Sequence, residues 1–141
     1  MPYIILVSCE KRRLLMQKQV IKVYPFTYNK ILGGQRKIDV RPYVPQLQTM
    51  RVGDMLEYHN LETGTTLVRE IKGIALFPDF DTLIRLLPPE MIGYATREEV
   101  RVRLERMYPQ EDVEKYGACA LFIEEPDIRT EMKLTRFNRT A

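Results

Sequence analysis

The 141-residue chain is 45% hydrophobic and 29% charged, with seven glycines and nine prolines, the balance of one ordinary soluble domain. That length leaves no room for a tandem-domain enzyme, and 22 basic against 19 acidic side chains, a net charge of +3, is too mild to announce a nucleic-acid binder. Two cysteines and one histidine are too few for a zinc site of the usual Cys/His kind, so no metal or cofactor is expected. The apolar run Ile4–Val7 is too short for a signal-peptide core or a membrane span. The expectation is a cytoplasmic protein in a reducing compartment, without membrane contact. A domain of this size buries roughly 68–70% of its unfolded surface and folds without cross-links.

The net charge hides an asymmetry. Residues 1–60 hold ten basic and four acidic side chains, residues 61–141 twelve and fifteen, and within 11–41 nine basic residues face the single acid Asp39. If those residues share one surface, they make a positive face.

No internal repeat, low-complexity tract or linker divides the chain. In chain order, Tyr3–Ser8 and Gln19–Tyr24 read as strands. A short helix opens near Pro25, whose missing N–H suits an early helical position, and stops at Gly33-Gly34. Lys37–Arg41, Met55–Asn60 and Thr65–Ile74 read as further strands, with Glu62-Thr63-Gly64 the hairpin tip between the last two. Phe80, Leu83, Ile84 and Leu87 at i, i+3, i+4 and i+7 behind an Asp79 cap predict a helix facing the sheet and ending at Pro88-Pro89. Thr96-Arg97-Glu98-Glu99 is a capping-box pattern that opens a third helix, with Val100, Leu104 and Met107 on its inner stripe. On its outer side Glu99–Arg103 and Arg101–Glu105 stand at i, i+4, the spacing of ordinary surface ion pairs, which takes those arginines out of any predicted binding patch. Tyr116–Glu124 reads as a late strand whose Ala118–Ile123 run is buried on both faces. Strands with helices inserted irregularly between them predict an α+β domain built on a small, mostly antiparallel β-barrel with flanking helices.

The densest chemistry lies in Ile31–Arg41, where a helix ends on glycine and a strand begins among charges. In an extended chain Ile38 and Val40 take one face while Lys37, Asp39 and Arg41 take the other. Arg36, in the turn, can swing to the side of Asp39 and Arg41, so that two guanidinium groups and a carboxylate share one mouth. Arginine offers planar donors to phosphate or carboxylate, and an acid between two cations fixes their orientation. The same trio also makes a purely structural ion-pair lock, and both readings stand. Lys11, Arg12 and Arg13 extend a basic path or form a solvated surface. Tyr24, Phe26, Tyr28 and Tyr43 are stacking partners for a base or members of the core. Cys119 in an apolar strand and His59 beside the hairpin read as a buried thiol and a satisfied imidazole, and Gly33–Lys37 lacks the Gly-Lys-Ser/Thr ending of a phosphate-binding loop.

At this segment the sequence resembles the ASCH family, the activating-signal-cointegrator homology domains related to the PUA fold. Gly34-x-Arg36-x-x-Asp39-x-Arg41 is similar to the family's Gly-x-Lys-x-x-Glu-x-Arg, with Arg36 and Asp39 as conservative replacements. The Val20–Tyr24 strand and Phe26–Leu32 helix resemble the family's approach to the motif, and Val52-Gly53-Asp54 its next turn. Phe80-Asp81-Thr82-Leu83, Met107-Tyr108-Pro109 and Tyr116–Leu121 resemble later segments in the same order. The matches span 19–124, which implies a PUA-like ASCH domain there, an N-terminal extension or extra strand at 1–18 and a C-terminal tail at 125–141.

The resemblance implies RNA or a nucleotide-like ligand bound in a basic cleft between barrel and helices. Arg36, Asp39 and Arg41 would line it, with Lys37 and Tyr43 beside them. Some small members resembling this chain are amidohydrolases acting on acetylated cytidine, and their lysine, threonine and glutamate match Arg36, Asp39 and Gly93 or Glu90. An aspartate between two arginines stays ionised and Arg36 cannot accept a proton, so an enzyme here would use Arg36 as oxyanion stabiliser and Asp39 as base for water. A third reading is a protein-interaction module using the acidic second half and the tail.

Overall fold

The computed structural model describes residues 3–5 and 16–127. They form β1 (Tyr3–Ile5), β2 (Lys18–Val23), α1 (Pro25–Leu32), β3 (Ile38–Pro42), α2 (Pro45–Gln48), β4 (Met55–Asn60), β5 (Thr66–Phe77), α3 (Phe80–Leu86), α4 (Pro89–Ile92), α5 (Arg97–Met107), α6 (Gln110–Tyr116) and β6 (Ala118–Glu124). Residues 6–8 of the expected first strand, the basic run 11–13 and residues 128–141 of the tail lie outside the described residues.

One mostly antiparallel sheet runs β2-β4-β5-β6-β3, with β1 attached to β5. The twelve-residue β5 holds it together. Its first half pairs with β4 through the hairpin at 61–65, its second half with β1, and residues 70–77 pair with β6. A register shift between Ile71 and Gly73 interrupts the β5–β6 ladder, and such irregularities sharpen the local bend and twist. β2 and β4 are parallel, from Lys18↔Met55 to Val23↔Asn60. The sheet curls into a half-barrel. Its end strands β2 and β3 face each other across a groove, the seam of the barrel.

Two cores result. Ile21, Leu56, Tyr58, Ile71, Cys119 and Leu121 fill the inside of the curl. Ile38, Val40, Phe77, Leu83, Ile84, Val100, Leu104 and Ala120 form the second, between the sheet's outer face and the helices. β6 contributes to both, which is why its sequence is apolar at successive positions. Burying a leucine-sized side chain contributes about 1.5–3 kcal/mol, so these layers supply most of the rigidity beneath the charged segment.

Local rules explain the helix ends. The Asp79 carboxylate accepts from the Thr82 N–H at 2.7 Å, and the Thr96 hydroxyl from the Glu99 N–H at 3.2 Å. Gly34 succeeds α1 at φ +82°. Three helices were not expected: α2, α4 and α6. Each is seven residues or shorter and comes after or begins with proline, which in sequence predicts a helix start at Pro25 but at Pro88-Pro89 only an end. Pro88-Pro89 thus ends α3 and starts α4 together. Met107 is exposed instead of joining Val100 and Leu104 on the inner stripe of α5, because the helix ends there and the chain turns toward Pro109. No helix among the described residues is long and apolar enough to cross a membrane.

Candidate functional site

The charged segment is pinned before its side chains are placed. The Arg36 N–H donates to the Lys30 carbonyl at the end of α1, and the Lys37 N–H to the Met91 carbonyl in α4. Strand alternation then sends Ile38 and Val40 into the outer core and Asp39 and Arg41 to the inside of the curl.

Asp39 is the hub of the charge cluster. Its Oδ2 accepts from Arg41 Nε at 2.8 Å and from the Tyr58 hydroxyl at 2.6 Å, while Oδ1 lies 3.6 Å from Arg36 Nη1. Arg36 Nη2 in turn donates to the Tyr94 hydroxyl at 3.0 Å. The two arginines and the aspartate therefore meet. They meet inside the protein: Asp39 is 0% exposed and Arg36 4%, and only Arg41, with 14% of its side chain accessible, reaches the surface. Burial alone would raise the Asp39 carboxyl, but Arg41 and Arg36, with the hydrogen bonds from Arg41 and Tyr58, outweigh it and hold Asp39 below the usual carboxylate range. Burial works against the Arg41 charge, and Asp39 more than restores it. Burial and the neighbouring Asp39 keep Tyr58 un-ionised, and burial first among causes pushes the Cys119 thiol up to about 12.

Two guanidinium groups thus share one carboxylate, leaving the cluster one positive charge in excess. Its outlet is the seam groove, which encloses about 330 Å³ and is lined by Gln19 and Lys22 of β2, Arg41 of β3, Gln46 of α2, and Tyr108 and Asp112 beyond α5. The Tyr108 hydroxyl is buried there without a hydrogen-bond partner among the described residues, and burial raises its pKa, so it stays a neutral donor.

The other sequence-predicted residues are distributed differently. Lys37 lies with Arg36, Arg69 and Phe122 in a separate groove beside the end of α1. Tyr43 packs half-buried against the inner core, Tyr28 is a core residue, and Tyr24 is exposed. Glu90 lines a groove with Gly34, Gln35 and Lys37, away from Arg41. Gly93 brings only its carbonyl, which accepts from Lys30 Nζ. The expected i, i+4 pairs on α5 do not form. Arg101 reaches across to Asp81 of α3 and back to Glu98 at i−3 on its own helix, and Arg103 lies over the Phe26 ring of α1.

Tyr58, Tyr94 and Tyr108 were missed as members of the site. A tyrosine on the inward face of a strand needs a partner for its hydroxyl, and that requirement is the one signal in the sequence that points to Tyr58.

No protein-family model and no curated protein matches this sequence. Among solved structures, the crystal structure of hypothetical protein PH0355 superposes with a TM-score of 0.67 at 25% identity, over 77% of this chain and 98% of that one. The solution structure of protein PF0455 from Pyrococcus furiosus gives 0.58 at 23%, over 77% and 96%. The crystal structure of ASCH from Zymomonas mobilis gives 0.55 at 14%, over 77% of this chain and 68% of that one. With its charged turn-and-strand segment set between half-barrel and helices, the chain has the α+β, PUA-like fold of the ASCH domain.

Proposed function

We propose that this protein binds a nucleotide, free or within RNA, at the seam groove, with Arg41 as the anchoring contact. The observation that carries this reading is the uncompensated charge: Arg36 and Arg41 share Asp39, and Arg41 faces a groove beside the Tyr108 hydroxyl, which has no partner among the described residues. Arg36 and Asp39 act as positioning residues, since they lie beneath Arg41 and neither lines the seam groove. A phosphate or base carbonyl at Arg41 gains a charge-assisted hydrogen bond from a guanidinium already oriented by Asp39, with little side-chain entropy left to lose. The lowered carboxyl pKa makes Asp39 a poor proton acceptor, which favours binding over the hydrolytic reading.

The test is calorimetric titration with a nucleoside monophosphate at several salt concentrations. Binding should weaken as salt rises, and Arg41→Gln should lower affinity about 10- to 100-fold, the scale of one hydrogen bond to a charged group. Wild-type affinity in that variant would remove the seam from consideration.

A further inference from the structure

A second groove, about 410 Å³, lies between α1 and α5, lined by Phe26, Lys30, Tyr94, Val102, Arg103 and Arg106. Phe26 is 45% exposed and lies between cations, with Lys30 Nζ 4.9 Å and the Arg103 guanidinium carbon 4.5 Å from its ring centre. Tyr94 stacks against it at 6.4 Å. The acids on the same wall are turned elsewhere. Glu99 Oε2 accepts from the Ala95 N–H at the start of α5, and Glu98 lies 3.8 Å from Arg101. Among the described residues no carboxylate comes within 4.0 Å of Lys30, Arg103 or Arg106.

The two grooves have no lining residue in common but are built from neighbouring stretches of the chain. One wall passes along the chain from Gln19–Lys22 in the seam to Phe26 and Lys30, and the other from Arg103 and Arg106 to Tyr108 and Asp112. Arg103 and Arg106 lie in the last turns of α5, just before the chain leaves the helix at Tyr108. Beneath them a chain of contacts links the sites: Tyr94 to Arg36, Arg36 to Asp39, Asp39 to Arg41.

We infer that the α1–α5 groove is a second nucleic-acid contact site, which takes the nucleotides next to the one in the seam when the ligand is single-stranded RNA. This rests on the nucleotide reading of the seam. The chemistry fits an unpaired strand, whose phosphates need cations without competing carboxylates and whose bases stack on exposed aromatic and guanidinium planes. A free nucleotide is too small to occupy both grooves. The Arg103–Phe26 stack is an open platform for a base, and Lys30 and Arg106 lie within the same groove for the adjoining phosphates.

The experiment compares uridine monophosphate with hexauridylate by calorimetry and fluorescence anisotropy, on wild type, Phe26→Ala, Arg103→Ala and Arg41→Gln. Hexauridylate should bind at least tenfold more tightly than the monophosphate. Phe26→Ala and Arg103→Ala should each cost hexauridylate about tenfold while leaving the monophosphate unchanged. A further variant, Arg106→Ala, should flatten the slope of log affinity against log salt by about 0.7, the loss of one phosphate contact. Monophosphate binding that depends on Arg41, with no gain for the hexamer or no effect of Phe26 and Arg103, overturns the second site and leaves the seam standing. Hexamer binding that depends on Arg103 but not on Arg41 does the reverse. A folded protein that binds neither probe overturns both.

Discussion

The seam and the α1–α5 groove carry the same kinds of side chain and hold them in opposite ways. At the seam, Arg36 and Arg41 are buried against Asp39, so their geometry is fixed by the core around them. Along α1 and α5, Lys30 and Arg103 lie over an exposed ring, with no acid among the described residues to hold them. A buried charge in low dielectric interacts strongly and is costly to leave unpaired, whereas an exposed one is screened by water and salt. The first arrangement suits selecting one chemical group, the second suits tracking a backbone.

The comparison breaks most decisively on stability. Asp39→Asn should destabilise the fold by about 3–5 kcal/mol in denaturant titrations, because it leaves two guanidinium groups buried with no counter-charge. Arg103→Ala and Phe26→Ala should stay within about 1 kcal/mol. Acid should separate them as well. Asp39 has a folded pKa below its ordinary 3.8, so the unfolded chain binds more protons, and this stabilisation is complete above 3.8 and disappears as pH falls through the folded value. The acid limb of the stability curve should therefore flatten in Asp39→Asn and keep its wild-type shape in Arg103→Ala. If both variants unfold alike, the two regions are held in the same way and the contrast fails.

The seam was more legible in the sequence than the second groove, for a physical reason. Alternation along β3 is a local rule, so Asp39 and Arg41 on one face, with Ile38 and Val40 on the other, came directly from the order of residues. The depth of the cluster did not. It depends on Tyr58 reaching Asp39 from a strand 19 positions away and on Tyr94 closing over Arg36, contacts set by how the sheet curls. The α1–α5 groove is invisible to local reasoning. The spacing of Glu99 and Arg103 predicted a surface pair, and only the packing of α1 beside α5 offers Arg103 an aromatic face instead. In the fold the same division holds. Capped helices and the hairpin were readable from Asp79, Thr96 and Gly64, while the parallel pairing of β2 with β4 joins residues 37 positions apart and has no local signature.

The smallest expected effect also sharpens the contrast most finely, because it compares two tyrosines that both approach the charge cluster. Tyr58 donates to Asp39 at 2.6 Å, so Tyr58→Phe should cost about 1.5–3 kcal/mol of stability, the range for a hydrogen bond to a charged acceptor. Tyr108 buries its hydroxyl without a partner among the described residues, so Tyr108→Phe removes an unsatisfied group and should leave the unliganded protein unchanged or about 1 kcal/mol more stable. If that hydroxyl serves the ligand, the same substitution should weaken nucleotide binding about three- to tenfold, the worth of one neutral hydrogen bond. Melting in the absence of ligand and titration with uridine monophosphate would then move in opposite directions for one missing oxygen. A packing residue cannot produce that pair of signs: its loss would lower stability, with affinity declining only as the fold loosened. Stability that falls together with affinity in Tyr108→Phe would return Tyr108 to the core and leave Arg41 alone at the seam.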